Sequence, residues 1–474
     1  MSLGDRLYPL LSAYQALPRG VQSGLGLAYR CLPESWRWGS RYREFKRLTE
    51  DTERWSWDEL RAYQLKQLRM VLHHAANHCP FYQKSFARAG FRPEDLRDIE
   101  RLQNCPMVEK KSLIEEIDDM TSRQVKRSKR LHMTTGGSTG IPVGFYLKKG
   151  VSRPKEQAFL ETMWRRAGHF KGARLAVIRG HVTSEKAGGR IADYDATRDW
   201  LLLSSYHLTE QRLPEYLEAI EKFRPDLLHA YPSAALQMAE FLERSGQSWR
   251  VPLRAVLCGS ERLTVPQKRL LERVFNCRVY RWYGHAERVV LAGEGVKSEL
   301  FYFFPTYGLV EFGPPDADGL CEVIGTSLHN LAMPLIRYRT GDYVRLADPR
   351  ADGELELPWP AVSEIVGREQ EFLISANGRR ISLTAFNMHD DVFDDLYAVQ
   401  FYQEQPGVAE FRYLPGPKFH RSRLADIETR IRRKLGDDFV LEMREVTEVE
   451  KTARGKHKRL VSRLRESGTM VNRT

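Results

Sequence analysis

The 474-residue chain has no apolar run approaching the ~18 residues that span a bilayer, which excludes an ordinary transmembrane helix. Its N-terminus lacks the basic-then-apolar order of a secretory signal, so the expected location is cytoplasmic. Cysteine is scarce and scattered. Cys31, Cys79, Cys105, Cys258, Cys277 and Cys321 form no CxxC pair, which argues against a zinc site and for a reducing compartment. No long linker interrupts the chain, and no nucleic-acid-binding fold is read in it despite a formal net charge of +12.

What is present suffices for a large core. The chain is 42% hydrophobic and 29% charged, and at ~150 residues per domain two or three domains are expected. Part of the positive charge is clustered, in KRSKR (126–130) and KHKR (456–459). Such patches suit polyanions, nucleotides or an anionic membrane face, although most charge runs are simply solvated. The first 40 residues include LYPLLSAYQAL and LAYRCLPESWRWG. These stretches suit peripheral membrane contact, but packing against the main body is the stronger expectation. The oligomeric state is not legible.

The pattern over 57–118 is helical, with Leu60, Tyr63, Leu68, Val71 and Leu72 at helical spacing. A further helix is expected over about 153–167, followed by the strand RLAVIRG. DLLHAY then reads as a strand entering the helix AALQMAEFLERSG through Pro232 and Ser233. The unit recurs as strand RAVLCGS, helix VPQKRLLERVF and strand RVYRWYGH. This alternation predicts an α/β fold with mostly parallel sheet covered by helices on both sides. Ligands bind such sheets beyond the carboxyl ends of the strands, where GSE (259–261) and YGHAE (283–287) fall. After 305 the texture turns to short strands, a β-rich subdomain over about 305–366. A smaller α+β module begins from 367 onward, with VGREQE as the boundary, giving expected domains of 1–366, with a helical region 1–118, and 367–474.

One loop stands out. HMTTGGSTGIPVGFYL (132–147) sets Gly136, Gly137 and Gly140 among Thr134, Thr135, Ser138 and Thr139, between two expected strands. Taken alone, a hairpin turn is the better reading. The alternative is an anion cradle, in which glycines let backbone N–H groups converge and the hydroxyls add donors. It is not a P-loop, because Ile141 and Pro142 follow Gly140 where Lys-Ser/Thr is required.

Read in order, TTGGSTGIP, GSE, YGHAE, RYRTGD, VGREQEFLISANG and KTARGKHKR form one series. Each is weak by itself; the order is not. The series resembles the adenylate-forming superfamily of acyl-CoA synthetases, peptide-synthetase adenylation domains and luciferases. Its spelling is similar to the phenylacetate–CoA ligase branch, especially the capsule-biosynthesis proteins placed there. HHAANHCPFYQKSF (73–86) and NCPMVEKKSLIEE (104–116) also resemble that branch, so the likeness covers nearly the whole chain.

The resemblance implies a large adenylation domain with a small mobile α+β lid. It implies activation of a carboxylic acid by ATP through an acyl-adenylate, then transfer to a thiol, with coenzyme A expected. Thr135, Gly136, Gly137, Ser138, Thr139 and Gly140 would wrap the β- and γ-phosphates. Glu287 would bind Mg²⁺; Tyr283, with Gly284 beside it, would stack on adenine, and Gly259, Ser260 and Glu261 would line the other face of the base. Asp342 would accept the ribose hydroxyls, Arg368 would contact the ribose or phosphates, and Lys456 would bridge the α-phosphate and the acid. His181 and Tyr231, at expected strand ends, are candidates for the acid pocket, though each is equally a packing residue.

The same residues have plainer readings. Asp342 suits a turn, Glu287 a helix start, Arg368 a pair with Glu371, and Lys456 a solvated basic tail. Three departures from the family pattern also bear on activity. Ala286 stands where a hydroxyl residue usually donates to the α-phosphate, and His285 is the candidate to compensate. Gln370 replaces the usual hinge Asp or Lys, and the tail lacks a serine before Gly455. Direct acyl transfer to an amine or sugar hydroxyl, or a degenerate nucleotide-binding scaffold, are the alternative functions.

Overall fold

The computed structural model describes residues 13–14, 17–135, 143–181, 190–316, 319–348, 355–366, 372–383, 392–393, 395–416, 419–450 and 458–464. Helix α1 (Arg19–Cys31) carries the start of the second N-terminal stretch, while most of LYPLLSAYQAL lies outside the described residues. A Cβ added to Gly26 would lie 2.6 Å from the Cβ of Ala196, so only glycine permits this approach to the body. Arg30 reinforces the contact through Asp199 at 2.7 Å. The opposite face leaves Val21, Leu25 and Leu27 exposed.

Helix α2 (Trp57–His78) begins at a reciprocal cap. The Ser56 hydroxyl accepts the Glu59 N–H at 3.3 Å, and the Glu59 carboxylate accepts the Ser56 N–H at 2.8 Å. Two donors that a helix start leaves unpaired are thereby satisfied. The helix buries Leu60, Leu68, Val71 and Leu72, as their spacing predicts. After the hairpin of β1 (Arg130–Thr135) and β2 (Val143–Lys148), α3 (Ser152–Arg166) leads into the main sheet.

That sheet has a parallel centre. β3 (Leu175–Arg179), β4 (Ala192–Asp195) and β5 (Trp200–Ser204) follow one another; then α4 (Leu213–Phe223), β6 (Leu227–Ala230), α5 (Pro232–Arg244), β7 (Ala255–Gly259), α6 (Val265–Phe275) and β8 (Val279–Gly284) alternate. The strand run continues with β9 (Leu291–Glu294), β10 (Phe301–Phe303), β11 (Gly308–Phe312), β12 (Cys321–Ser327), β13 (Tyr338–Leu346) and β14 (Ala361–Val366). The order is β11-β12-β13-β14-β10-β9-β8-β7-β6-β3-β5-β4. Pairings from β5 through β3, β6 and β7 to β8 are parallel. Those beyond β8, and that of β4, are antiparallel. Parallel pairing thus belongs to the centre, where helices connect β5 to β6, β6 to β7 and β7 to β8. β8 turns directly into β9, a connection too short for the crossover that parallel neighbours need. The short strands after 305 extend this same sheet.

Alternation along the central strands buries both faces. Ala176, Ile178, Leu228, Ala230, Val256 and Cys258 join one core cluster. Leu175, Val177, Leu227, Ala255 and Leu257 join another, with Phe159 and Trp164 of α3. Continuous apolar runs are what a sheet covered on both sides requires. The C-terminal region has a two-stranded sheet, β15 (Phe372–Ile374) with β16 (Arg380–Ser382). It also has β17 (Leu396–Gln403), β18 (Val408–Pro415), β19 (Val440–Glu445) and β20 (Leu460–Ser462), ordered β19-β18-β17-β20, with α7 (Leu424–Leu435). Arg379 donates to the Tyr206 carbonyl and pairs with Asp438, tying this region to the main body.

One buried cation carries a pH signature. Lys155 of α3 is 3% exposed and donates to the Tyr307 carbonyl at 2.8 Å. Burial pushes its ammonium down to about 7, against an ordinary value of about 10.4. The cost of holding the charged form is therefore complete below pH 7 and is relieved as pH rises toward 10. Wild type should gain thermal stability relative to Lys155→Met across that window. A difference in melting temperature that stays flat from pH 6.5 to 9.5 would contradict a buried, readily deprotonated lysine.

Candidate active site

The site is built around the end of β8, the strand shared by the parallel and antiparallel parts of the sheet. Successive residues of a strand face opposite sides. Trp282 accordingly packs with the cluster under α3, and Tyr283 with the cluster of the N-terminal helices and β11–β14. The Tyr283 hydroxyl donates to Asp342 Oδ2 at 2.9 Å. Asp342, on β13, also donates its N–H to the Thr340 hydroxyl at 3.1 Å. Burial first, and Asp342 second, push the Tyr283 phenol well above its usual range, so it stays a donor.

Just past Gly284, His285 Nδ1 lies 3.1 Å from Glu287 Oε2, and the Tyr338 hydroxyl donates to Glu287 Oε1 at 3.0 Å. Glu287 is only 9% exposed. Burial pushes its carboxyl up, but the hydrogen bond and charge of His285, with Lys110 behind them, outweigh this and hold it at about 2. Burial likewise opposes a charged His285, and the facing carboxylate overrides it and raises the imidazole. Together they form a buried ion pair. The far nitrogen, His285 Nε2, is buried and has no partner among the described residues. The rings of Tyr283 and His285 are 6.2 Å apart, so both pairs share one neighbourhood.

The second strand end is β7. A Cβ at Gly259 would sit 2.3 Å from the Trp282 indole, so the ring lies across a position only glycine can fill. Ser260 adopts φ 71°, in the left-handed region, and its hydroxyl accepts from Arg179 Nη2 at 2.6 Å. Glu261 accepts the Ser233 N–H at 2.9 Å and its hydroxyl at 3.1 Å, anchoring the start of α5. Tyr231 caps that helix and is buried. His181 Nε2 is engaged by Asp193 on the edge strand at 3.0 Å.

The glycine loop has the expected strand–loop–strand context, with Thr135 opposite Val143. Thr135 is placed as the last residue of β1, while Gly136, Gly137, Ser138, Thr139 and Gly140 lie outside the described residues. Arg368 and Lys456 lie outside them too. The structure thus brings together Tyr283, Gly284, His285, Glu287 and Asp342, and separately Gly259, Ser260 and Tyr231. Sequence reasoning missed Tyr338 and Lys110, which hold or face Glu287. Tyr338 lies inside RYRTGD, the motif that also carries Asp342. Among the described residues no group of three or more metal-ligating side chains occurs, and no helix is long and apolar enough to cross a membrane.

No family model matches the chain. It is 30% identical over 342 residues to the phenylacetate–coenzyme A ligase of Pseudomonas putida, spanning 69% of this chain and 74% of that protein. The phenylacetate–coenzyme A ligase of Escherichia coli K12 is 29% identical over 305 residues, 61% of this chain and 68% of that one. Protein CapK of Staphylococcus aureus is 24% identical over 340 residues, 70% and 72% of the two chains. In fold, the chain is similar to a 2-hydroxyisobutyryl-CoA ligase crystallised with 2-HIB-AMP and CoA in the thioesterification state. The TM-score is 0.55 at 18% identity, over 92% of this chain and 94% of that one. With a relative this similar over this share of both chains, the chain belongs to the phenylacetate–coenzyme A ligase family.

Proposed function

We propose that the chain is an AMP-forming acid ligase, which activates a carboxylic acid with ATP and passes the acyl group to the thiol of coenzyme A. The observation that carries this reading is the buried Glu287–His285 pair beside the Tyr283–Asp342 pair at the end of one strand. In the first half-reaction an oxygen of the acid attacks the α-phosphorus of ATP and pyrophosphate leaves. In the second, the thiolate attacks the acyl carbon and AMP leaves.

Two anions must meet in the first step, so the chain has to supply donors and positive charge where negative charge develops. Asp342 suits the ribose, because a carboxylate can accept from two hydroxyls at once. Tyr283, fixed by Asp342, presents a rigid ring for adenine. Gly259, Ser260 and Glu261 line the base, and Thr135 with the loop 136–140 cradles the terminal phosphates. Ala286 lacks a hydroxyl, and the unpartnered Nε2 of His285 is a suitable replacement donor to phosphate oxygen. Arg368 and Lys456 add charge near the ribose and α-phosphate.

Glu287 fits a magnesium ion, since its carboxylate is ionised at neutral pH and magnesium takes one or two protein carboxylates with phosphates completing its shell. Bound there, the ion would neutralise charge on the phosphates. Residues 1–366 act as the adenylation domain and 367–474 as a lid that turns about 367–371 between half-reactions. The likeness to CapK favours one second reading, in which the acceptor is an amine or a sugar hydroxyl.

Asp342→Ala should weaken ATP binding by about 1.5–3 kcal/mol, the scale of a hydrogen bond to a charged group. Wild-type affinity in calorimetry would remove Asp342 from the nucleotide site. Lys456→Ala should slow adenylate formation by ~10²-fold or more, as loss of an electrostatic stabiliser does. Given pre-made acyl-adenylate, that variant should still form the thioester. Adenylation at the wild-type rate would return Lys456 to a solvated tail.

A further inference from the structure

The sheet face opposite Tyr283 carries a second cluster at the same strand ends, and the nucleotide reading leaves it unexplained. Arg179 ends β3, His229 lies on β6, and Trp282 on β8, all on the side covered by α3. Arg179 Nη1 donates to His229 Nε2 at 2.8 Å, and Nη2 donates to the Ser260 hydroxyl at 2.6 Å. Its guanidinium carbon is 4.7 Å from the Tyr231 ring centroid and 5.7 Å from that of Trp282. Among the described residues these neutral groups and rings are its partners, and no carboxylate pairs with it. A guanidinium has five N–H donors. Two are used here.

The neighbours add further donors. Accepting from Arg179 makes Nε2 the bare nitrogen of a neutral His229, so the proton sits on Nδ1. Among the described residues that Nδ1 is buried without a partner, as are Trp164 Nε1 and Trp282 Nε1. His229 is 6% exposed, and the Trp164 ring stands edge-on to it at 5.2 Å. Buried polar groups are ordinarily satisfied. A half-buried cation with no carboxylate partner among the described residues, beside three buried donors and walled by aromatic rings, suits a ligand that brings acceptor oxygens.

Resting on the acid-activation reading above, we propose that this face receives the distal end of the acid and that Arg179 selects acids carrying a second carboxylate. A planar carboxylate matches the guanidinium fork, and the surrounding rings exclude water from the pair. Ser260 and Tyr231 hold Arg179 in place. Gly259 lets the Trp282 indole close the floor of the subsite.

The test uses the full-length protein and matched acids: butyrate with succinate, pentanoate with glutarate, phenylacetate with 4-(carboxymethyl)phenylacetate. Wild type should favour the diacid of a pair in kcat/KM for acid-dependent pyrophosphate exchange. Arg179→Met should lower the diacid-to-monoacid ratio by about 10²-fold, the upper end of what a hydrogen bond to a charged group contributes. Arg179→Lys, which keeps the charge but not the fork, should fall between them. Calorimetric binding of the same acids without ATP reads the subsite independently of turnover, and should show the same order. A ratio unchanged in Arg179→Met, or monoacids preferred by wild type, would overturn the inference. Exchange absent with every acid, while diacids still bind through Arg179, would instead count against activation and leave the subsite standing.

Discussion

The buried ion pair between Glu287 and His285 is the interaction on which the rest of the site depends. A carboxylate that is 9% exposed would ordinarily take up a proton. Here the imidazole at 3.1 Å, with Lys110 behind it, keeps it ionised, and the Tyr338 hydroxyl donates to it at 3.0 Å. Removing one partner of a buried pair costs about 3–5 kcal/mol, because the other charge is left uncompensated. The pair therefore has to be assembled from both sides: His285 and Glu287 come from the turn after β8, and Tyr338 from the start of β13.

Sheet topology is what makes that assembly possible. β8 has a parallel neighbour, β7, and an antiparallel one, β9. Its carboxyl end therefore opens both onto the crevice of the parallel centre and toward the antiparallel strands that carry Tyr338 and Asp342. Strand alternation then divides two jobs between adjacent residues. Tyr283 meets Asp342 on one side, while Trp282 lies over Gly259 on the other.

Much of this was legible in the sequence, for physical reasons. Strands such as RLAVIRG and RAVLCGS are buried on both faces, so their apolar runs stand out, and the helices between them show their period. The pairing of β10 to β14 with the main sheet was not legible, because register between distant segments leaves no local trace in residues such as Phe301 and Val362. Within the site, motif order located Tyr283, Glu287 and Asp342. Tyr338 was missed, since a tyrosine in a strand looks like core until its hydroxyl is found on a carboxylate. The Arg179 cluster was hidden for a related reason: His229 and Trp282 lie within strand sequences, and their unpartnered nitrogens distinguish them only once the strands are placed. Glu261, conversely, has a structural duty at Ser233 that its place in GSE did not reveal.

The central claim is that this crevice joins a carboxylate to the α-phosphate of ATP. Exchange of labelled pyrophosphate into ATP by the full-length protein tests it most directly, because it reads adenylate formation without requiring the acceptor to be known. Exchange that appears only when a carboxylic acid and magnesium are both supplied is the predicted result. Exchange independent of added acid, or none across a panel of aryl, alkyl and dicarboxylic acids, would contradict it.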